Sequence, residues 1–135
     1  LSITNIRQGL ETNLETVSGL RAYSEIPENP QVPCAVVQLQ TIEYDQAFQK
    51  GLVLYNFEIT VIVGRFSVQQ AQENLNDYAD NTGAKSVKSA IESDKTLGGV
   101  AFDAHLTTMT GISALDLNDG SNYLGMTFSV TVYAN

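Results

Sequence analysis

Histidine, cysteine and tryptophan are nearly missing from this chain, which has one His, one Cys and no Trp. A single histidine, His105, excludes any triad or metal site that needs several histidines from one subunit. A single cysteine, Cys34, excludes an intrachain disulfide and a cysteine zinc site within one chain, and suits a reducing or redox-indifferent setting. Basic residues are also scarce, 7 against 15 acidic ones, for a formal net charge of -8. Nucleic acid is held tightly by neutralising its phosphates, so this deficit argues against direct DNA binding. It suits a wall past which DNA slides without sticking, because like charge repels the backbone. Long apolar runs are absent: nothing approaches the roughly 18 residues of a membrane span, and polar residues break up residues 1–19 too often for a signal peptide. The expectation is a protein with no membrane segment.

What is present points to a folded chain. At 135 residues, 43% hydrophobic and 16% charged, it is sized for one domain covering 1–135 around one core. Ser2 is placed to cap a helix whose apolar residues Ile3, Ile6, Leu10, Leu14 and Val17 recur at three- and four-residue steps. Arg7, Glu11 and Glu15 fall on its solvent side, and Gly19 is placed to stop it. Leu20–Ile26 reads as a short strand. Pro27, Pro30 and Pro33 then forbid a helix or a central strand and make a stiff loop.

Cys34 to Glu43 reads as a strand and residues 44–51 as the tip of a long β-hairpin. Leu52 to Val63 is the strongest strand signal: Val53, Tyr55, Phe57, Ile59, Val61 and Val63 share one face, with Asn56, Glu58 and Thr60 on the other. Leu54 and Ile62 interrupt that polar side, which implies that its ends are covered by a helix or a neighbouring subunit. Ser67 and Gln70 have the spacing of a capping box for a second helix with Val68, Ala71, Leu75 and Tyr78 or Ala79 inward, ended by Gly83. Ser86–Asp94 reads as a shorter helix burying Val87, Ala90 and Ile91, stopped at Leu97-Gly98-Gly99. A strand follows with Val100, Phe102, Ala104 and Leu106 on one side, then a polar loop at 117–122. A final strand places Leu124, Met126, Phe128, Val130 and Val132 inward. The predicted class is α+β, a mostly antiparallel sheet of about four to five strands with two or three helices on one face.

Reactive constellations are hard to assemble from these residues. His105, flanked by Asp103 and Thr107, reads as a polar-face strand residue. Cys34 reads as a small apolar filler, since only His105 is available to activate it. The Asp116-Leu117-Asn118-Asp119-Gly120 run puts its Gly one position early for a calcium loop and is better taken as a turn. Gly98-Gly99 lacks the Lys-Ser or Lys-Thr of a phosphate loop and follows a helix. The pairs Asp77 with Asp80 and Glu92 with Asp94 read as solvated charge. No cofactor or metal is expected, nor catalysis.

Two stretches carry a resemblance. The first is Tyr55-x-Phe57-x-Ile59-x-Val61-x-Val63-Gly64-Arg65-x-Ser67, continuing through Gln70-Ala71-Gln72-x-x-Leu75-x-x-Tyr78. The second is Gly83-x-x-Ser86-Val87-x-x-Ala90-Ile91-Glu92-x-Asp94-x-Thr96-Leu97-Gly98-Gly99-Val100. With the opening Ile-x-x-Gly-Leu helix, Gly19-Leu20-Arg21-Ala22-Tyr23 and the Pro27–Pro33 stretch, nearly the whole chain resembles the tail terminator, or tail completion, proteins of long-tailed bacteriophages. The resemblance implies a homo-oligomeric ring, a hexamer, that caps the tail tube and joins the head completion (neck) proteins. It implies a place in the virion at the tail-to-neck junction after assembly in the host cytoplasm, with genome DNA passing through unbound. The family brings no catalytic residues. A physical reason connects the residues to ring building: strand edges and a protruding hairpin leave backbone groups that identical neighbours can pair or cover. Tyr44, Phe48 and Leu52 near the hairpin tip are then the expected subunit contacts. Two other readings are a head completion protein and, of a different class, a small ligand-binding or hydrolytic α+β domain using Asp103, His105 and a nearby carboxylate.

Overall fold

The alternating run after Leu52 becomes the middle of a sheet because every second side chain on it is large and apolar. The computed structural model describes residues 3–17, 20–23, 33–44, 51–64, 68–83, 85–116 and 122–134. Its strands are β1 (Arg21–Tyr23), β2 (Cys34–Glu43), β3 (Val53–Gly64), β4 (Asp103–Asp116) and β5 (Asn122–Ala134). They form one sheet in the order β1-β2-β3-β5-β4, in which β1 runs parallel to β2 and every other pair is antiparallel. Helices α1 (Ile3–Leu14), α2 (Val68–Ala79) and α3 (Val87–Glu92) pack against it. The chain is thus α+β with a mostly antiparallel sheet, as its patterning predicts.

One face carries the core. Phe57, Ile59 and Val61 of β3 meet Met126, Phe128, Val130 and Val132 of β5 beneath Ile6, Leu10 and Leu14 of α1, Leu75 of α2 and Ile91 of α3. Phe57 and Phe128 are each 1% exposed, and burying a side chain of that size contributes roughly 1.5–3 kcal/mol. The short helix α3 is held at its start by Ser86, whose hydroxyl accepts from the amide of Ser89 at 3.1 Å, a cap worth about 1 kcal/mol. Leu97, Gly98 and Gly99 close that segment with positive φ of 52°, 74° and 97°. Glycine adopts this backbone without a Cβ penalty, and Leu97 adopts it while buried. Gly9 lets α1 approach this turn, since a Cβ there would stand 2.8 Å from the Cβ of Leu97.

Several expectations are corrected. Ile3 lies at the margin of the exposed surface, whereas Arg7 and Glu11, read as solvated, are half-buried. Asn13 is buried as well: seven residues after Ile6 and three after Leu10, it is a polar residue at the flank of the apolar stripe. The second helix ends at Ala79, ahead of Gly83, which takes φ 118° in the following bend. Phe102 is 58% exposed while Ala101 is buried, because β4 begins only at Asp103. β4 then runs on to Asp116, well past Thr107. Ile62 needs no neighbouring subunit to cover it: it is fully buried within the chain, in a small second cluster with Cys34, Val36 and Tyr123 on the opposite face. The proline loop at 24–32, the hairpin tip at 45–50, Ser67 and the turn at 117–121 lie outside the described residues, as do the side chains of Val68, Gln70 and Ala71.

Three-residue steps between apolar positions mark bulges. β2 shifts register between Leu39 and Thr41, which returns Ile42 to the core face. β4 shifts between Leu106 and Thr108 and again between Thr110 and Ile112, so that Met109 pairs with Phe128 and Ile112 with Met126. Each extra residue restores the alternation that the spacing alone breaks.

Candidate functional site

The outermost strand β4 is protected at its start, from Asp103 to Leu106. α3 packs beside its first residues. There the amide of Ala104 donates to Oδ1 of Asp103 at 3.0 Å, and the amide of Leu106 donates to Oε2 of Glu92 in a long bond of 3.4 Å. Glu92 is itself fixed by Lys88 Nζ, 2.6 Å away. Burial works to raise the Glu92 carboxyl, but the hydrogen bonds from Lys88 and Leu106 and the charges of Lys88 and Lys95 outweigh it and hold the group below the usual carboxylate range. Glu92 is therefore not the solvated charge that its sequence context implies.

Beyond Leu106 this protection stops. Thr107, Thr108, Met109, Thr110 and Gly111 are all exposed, and among the described residues no strand pairs with the outer side of β4. From Leu106 to Leu115 there is no charged residue and no proline, the devices with which soluble sheets blunt a free edge.

The sheet face away from the helices is polar outside the cluster of Cys34, Val36, Ile62 and Tyr123. Asn56 donates to Oγ1 of Thr41 at 2.8 Å and to Oε2 of Glu43 at 3.1 Å, and accepts from Thr131 at 3.0 Å. Strands β2 to β5 contain no Lys or Arg. His105 and Asp103 do come together on this face, Nε2 to Oδ2 3.2 Å apart, and the imidazole meets the Tyr133 ring edge-on at 5.9 Å. The pair is more than a third exposed on both sides. Two shallow clefts, of about 190 and 150 Å³, lie elsewhere, lined by Asp77, Asp80 and Lys85 and by Asn13, Asp94 and Gly98 respectively. Among the described residues no group of three or more His, Cys, Asp or Glu is placed to hold a metal. Cys34 is buried, and burial pushes its thiol up to about 11, which keeps it protonated.

Of the expected hairpin contacts, Tyr44 is 66% exposed just past the end of β2, Leu52 is half-buried just ahead of β3, and Phe48 lies outside the described residues. The structure places Tyr44 and Leu52 on either side of the last hairpin pair, Glu43 with Leu54. Sequence reading missed the open part of β4 altogether. The signal available was the charge-free stretch from Leu106 to Leu115.

No protein-family model and no curated protein matches the chain. Among solved structures it is similar to a chain from the virion of a native gene transfer agent particle, at 16% identity over 93% of this chain and 84% of that one, with a TM-score of 0.33. A likeness at that score carries no argument about function. No helix among the described residues is long and apolar enough to cross a membrane.

Proposed function

We propose that this chain is a structural virion protein, a subunit of the ring that caps a phage tail tube and connects it to the head completion proteins. It acts by shape and by pairing with its own copies. The observation that supports this most is the open outer edge of β4, a long strand whose exposed half carries neither charge nor proline. A lone sheet of this kind invites pairing, and identical neighbours in a closed ring remove the hazard. The sequence resemblance to tail terminators supplies the finer reading: a hexameric ring, a tail tube protein on one side and a neck protein on the other. The polar face of strands β2 to β5, which contain no Lys or Arg and leave Arg21 of β1 as the basic residue on that side of the sheet, suits the inner wall of such a ring, along which DNA moves without specific binding.

The test is twofold. Sedimentation of the purified chain should show a ring-sized species, and the protein should be found at the head-proximal end of purified tails. A chain that stays single at every concentration and is absent from tails refutes the reading. The second class, a hydrolytic domain built on Asp103 and His105, is tested by His105→Ala, which leaves assembly intact under the structural reading.

A further inference from the structure

Resting on the ring reading above, we infer that the open half of β4 pairs with the open half of β2 in the next copy, so that one sheet continues from subunit to subunit. Among the described residues β2 also has an unpaired outer side. β1 pairs with it only at Cys34, Ala35 and Val36, and among the described residues nothing pairs with the outer side of Val37–Glu43. That segment is seven residues long, and among the described residues the unpaired outer side of β4 runs for ten, from Thr107 to Asp116, long enough to take all of it.

The orientation also fits. β2, β3, β5 and β4 are antiparallel in turn, so β2 and β4 run in opposite directions at the two edges of the sheet. A second copy set beside the first in the same sense therefore brings its β2 antiparallel to β4, in the stronger ladder geometry. Such a contact joins two different surfaces and repeats head to tail, which is the kind that generates rings.

The protected halves fix the stagger. One row across the sheet, Gln38-Glu58-Ser129-Thr108, separates the two open segments: β2 is open on the hairpin side of it and β4 on the other. The carboxylates of Asp103 and Glu92 occupy edge amides of β4 where a neighbour's strand would otherwise slide along. Adjacent copies are then displaced along the strand direction by roughly 15 Å, four to five residue pairs at about 3.4 Å each. A closed ring absorbs such a displacement only if its strands tilt against the ring axis, as in any staggered sheet closed on itself.

The occupant is a second copy of this chain, and charge reversal tests it in the full-length protein. At a displacement of four pairs Thr41 of one copy falls opposite Thr110 of the next, and both are exposed. Sedimentation velocity is run on Thr41→Lys/Thr110→Lys, on Thr41→Glu/Thr110→Lys, and on Thr12→Lys/Asn76→Lys as a control with the same charge change as the first on exposed helix positions. The like-charged edges should shift the ring to single-chain mass with the circular dichroism of the fold retained, while the opposite-charged pair and the control keep the ring. A ring that survives the two edge lysines, a loss of ring in the control, or a failure of Glu at position 41 to restore it each overturns the pairing. Should Thr110→Lys disturb the fold, Thr108→Glu sets a like charge opposite Glu43 of the next copy and should likewise break the ring. A wild-type chain that never leaves single-chain mass overturns the ring reading itself, which separates the two failures.

Discussion

Replacing Asn13 by leucine should cost about 2–3 kcal/mol of stability, although the two side chains are nearly equal in size. Asn13 is 5% exposed, and its Nδ2 donates to the carbonyls of Ile91 at 3.1 Å and Asp94 at 3.0 Å, tying α1 to the end of α3. The last carbonyls of a helix lack intrahelical partners. Asp94 keeps a second donor, the amide of Leu97 at 3.1 Å, so its loss is small, about 0.5 kcal/mol. Ile91 has no other backbone donor among the described residues, and a buried carbonyl left unpaired costs about 1–3 kcal/mol. Urea unfolding followed by circular dichroism reads the sum: at an m-value of about 1.5–2 kcal/mol/M, the midpoint falls by roughly 1–2 M. Protein concentration is held fixed, because assembly stabilises the folded chain by mass action. Thr12→Ala, which removes an exposed hydroxyl bonded to the carbonyl of Gln8, should stay within about 0.5 kcal/mol of wild type. An Asn13→Leu midpoint as close to wild type as that control would refute the assigned role.

Gly9→Ala should be net destabilising by about 1–2 kcal/mol, since the overlap with Leu97 exceeds the ~1 kcal/mol that alanine adds in a helix; an unchanged thermal melt contradicts the close approach. Two glutamates should show opposite pH behaviour. Glu92, held below its ordinary 4.5, stabilises the fold fully above that pH and loses the contribution as pH falls through its lower folded value. Glu92→Gln should therefore lower the urea midpoint at neutral pH and converge on wild type in acid. Burial raises Glu11, with Arg7 opposing and Glu15 adding to the shift, so its contribution is full below 4.5 and is lost as pH rises through the folded value. Glu11→Gln should thus raise the midpoint at neutral pH and make no difference below 4.5; a lowered neutral midpoint would sink this account. Cys34, buried with its thiol pushed up to about 11, should react with iodoacetamide only as fast as the chain opens, and labelling within seconds in the native state would contradict that.

Much of the fold is legible in residue spacing because burial on one face of a sheet imposes a strict period. Val53 to Val63 and Leu124 to Val132 place every second residue on the core face, and that face is as read. α3 is legible for a local reason, with Ser86 as its cap and three inward apolar residues behind it. The second half of β4 is not: its bulges at Thr107 and Gly111 break the two-residue period, so Thr-Thr-Met-Thr-Gly-Ile carries no strand signature when read alone. Asn13 and Glu92 are illegible for another reason. Their partners, the carbonyls of Ile91 and Asp94 and the amide of Leu106, are backbone groups supplied by distant or separate segments, and no side-chain pattern announces a backbone partner. The resemblance to tail terminators rests on structural motifs, and so it speaks to the scaffold more than to any contact surface.

The arrangement of protection on this sheet is the strongest reason to read its edges together. A monomer that merely tolerated a free edge would gain by blunting all of it, and β4 shows that the means are at hand: Asp103 and Glu92 cover two successive edge amides of the strand. Selective covering is explained if the uncovered half has a partner of its own. β2 repeats the pattern in mirror order, covered by β1 at Cys34–Val36 and, among the described residues, unpaired from Val37 to Glu43. Two such segments, in antiparallel sense and on opposite sides of one dividing row, are what a head-to-tail sheet requires from each copy. Glu92→Gln therefore bears on assembly as well as stability: a neutral amide holds the Lys88 ammonium and the Leu106 amide less firmly, loosening the stop that sets the register. The variant should form rings with a broader size distribution in sedimentation than wild type, and a distribution as narrow as wild type would mean that the register is set elsewhere.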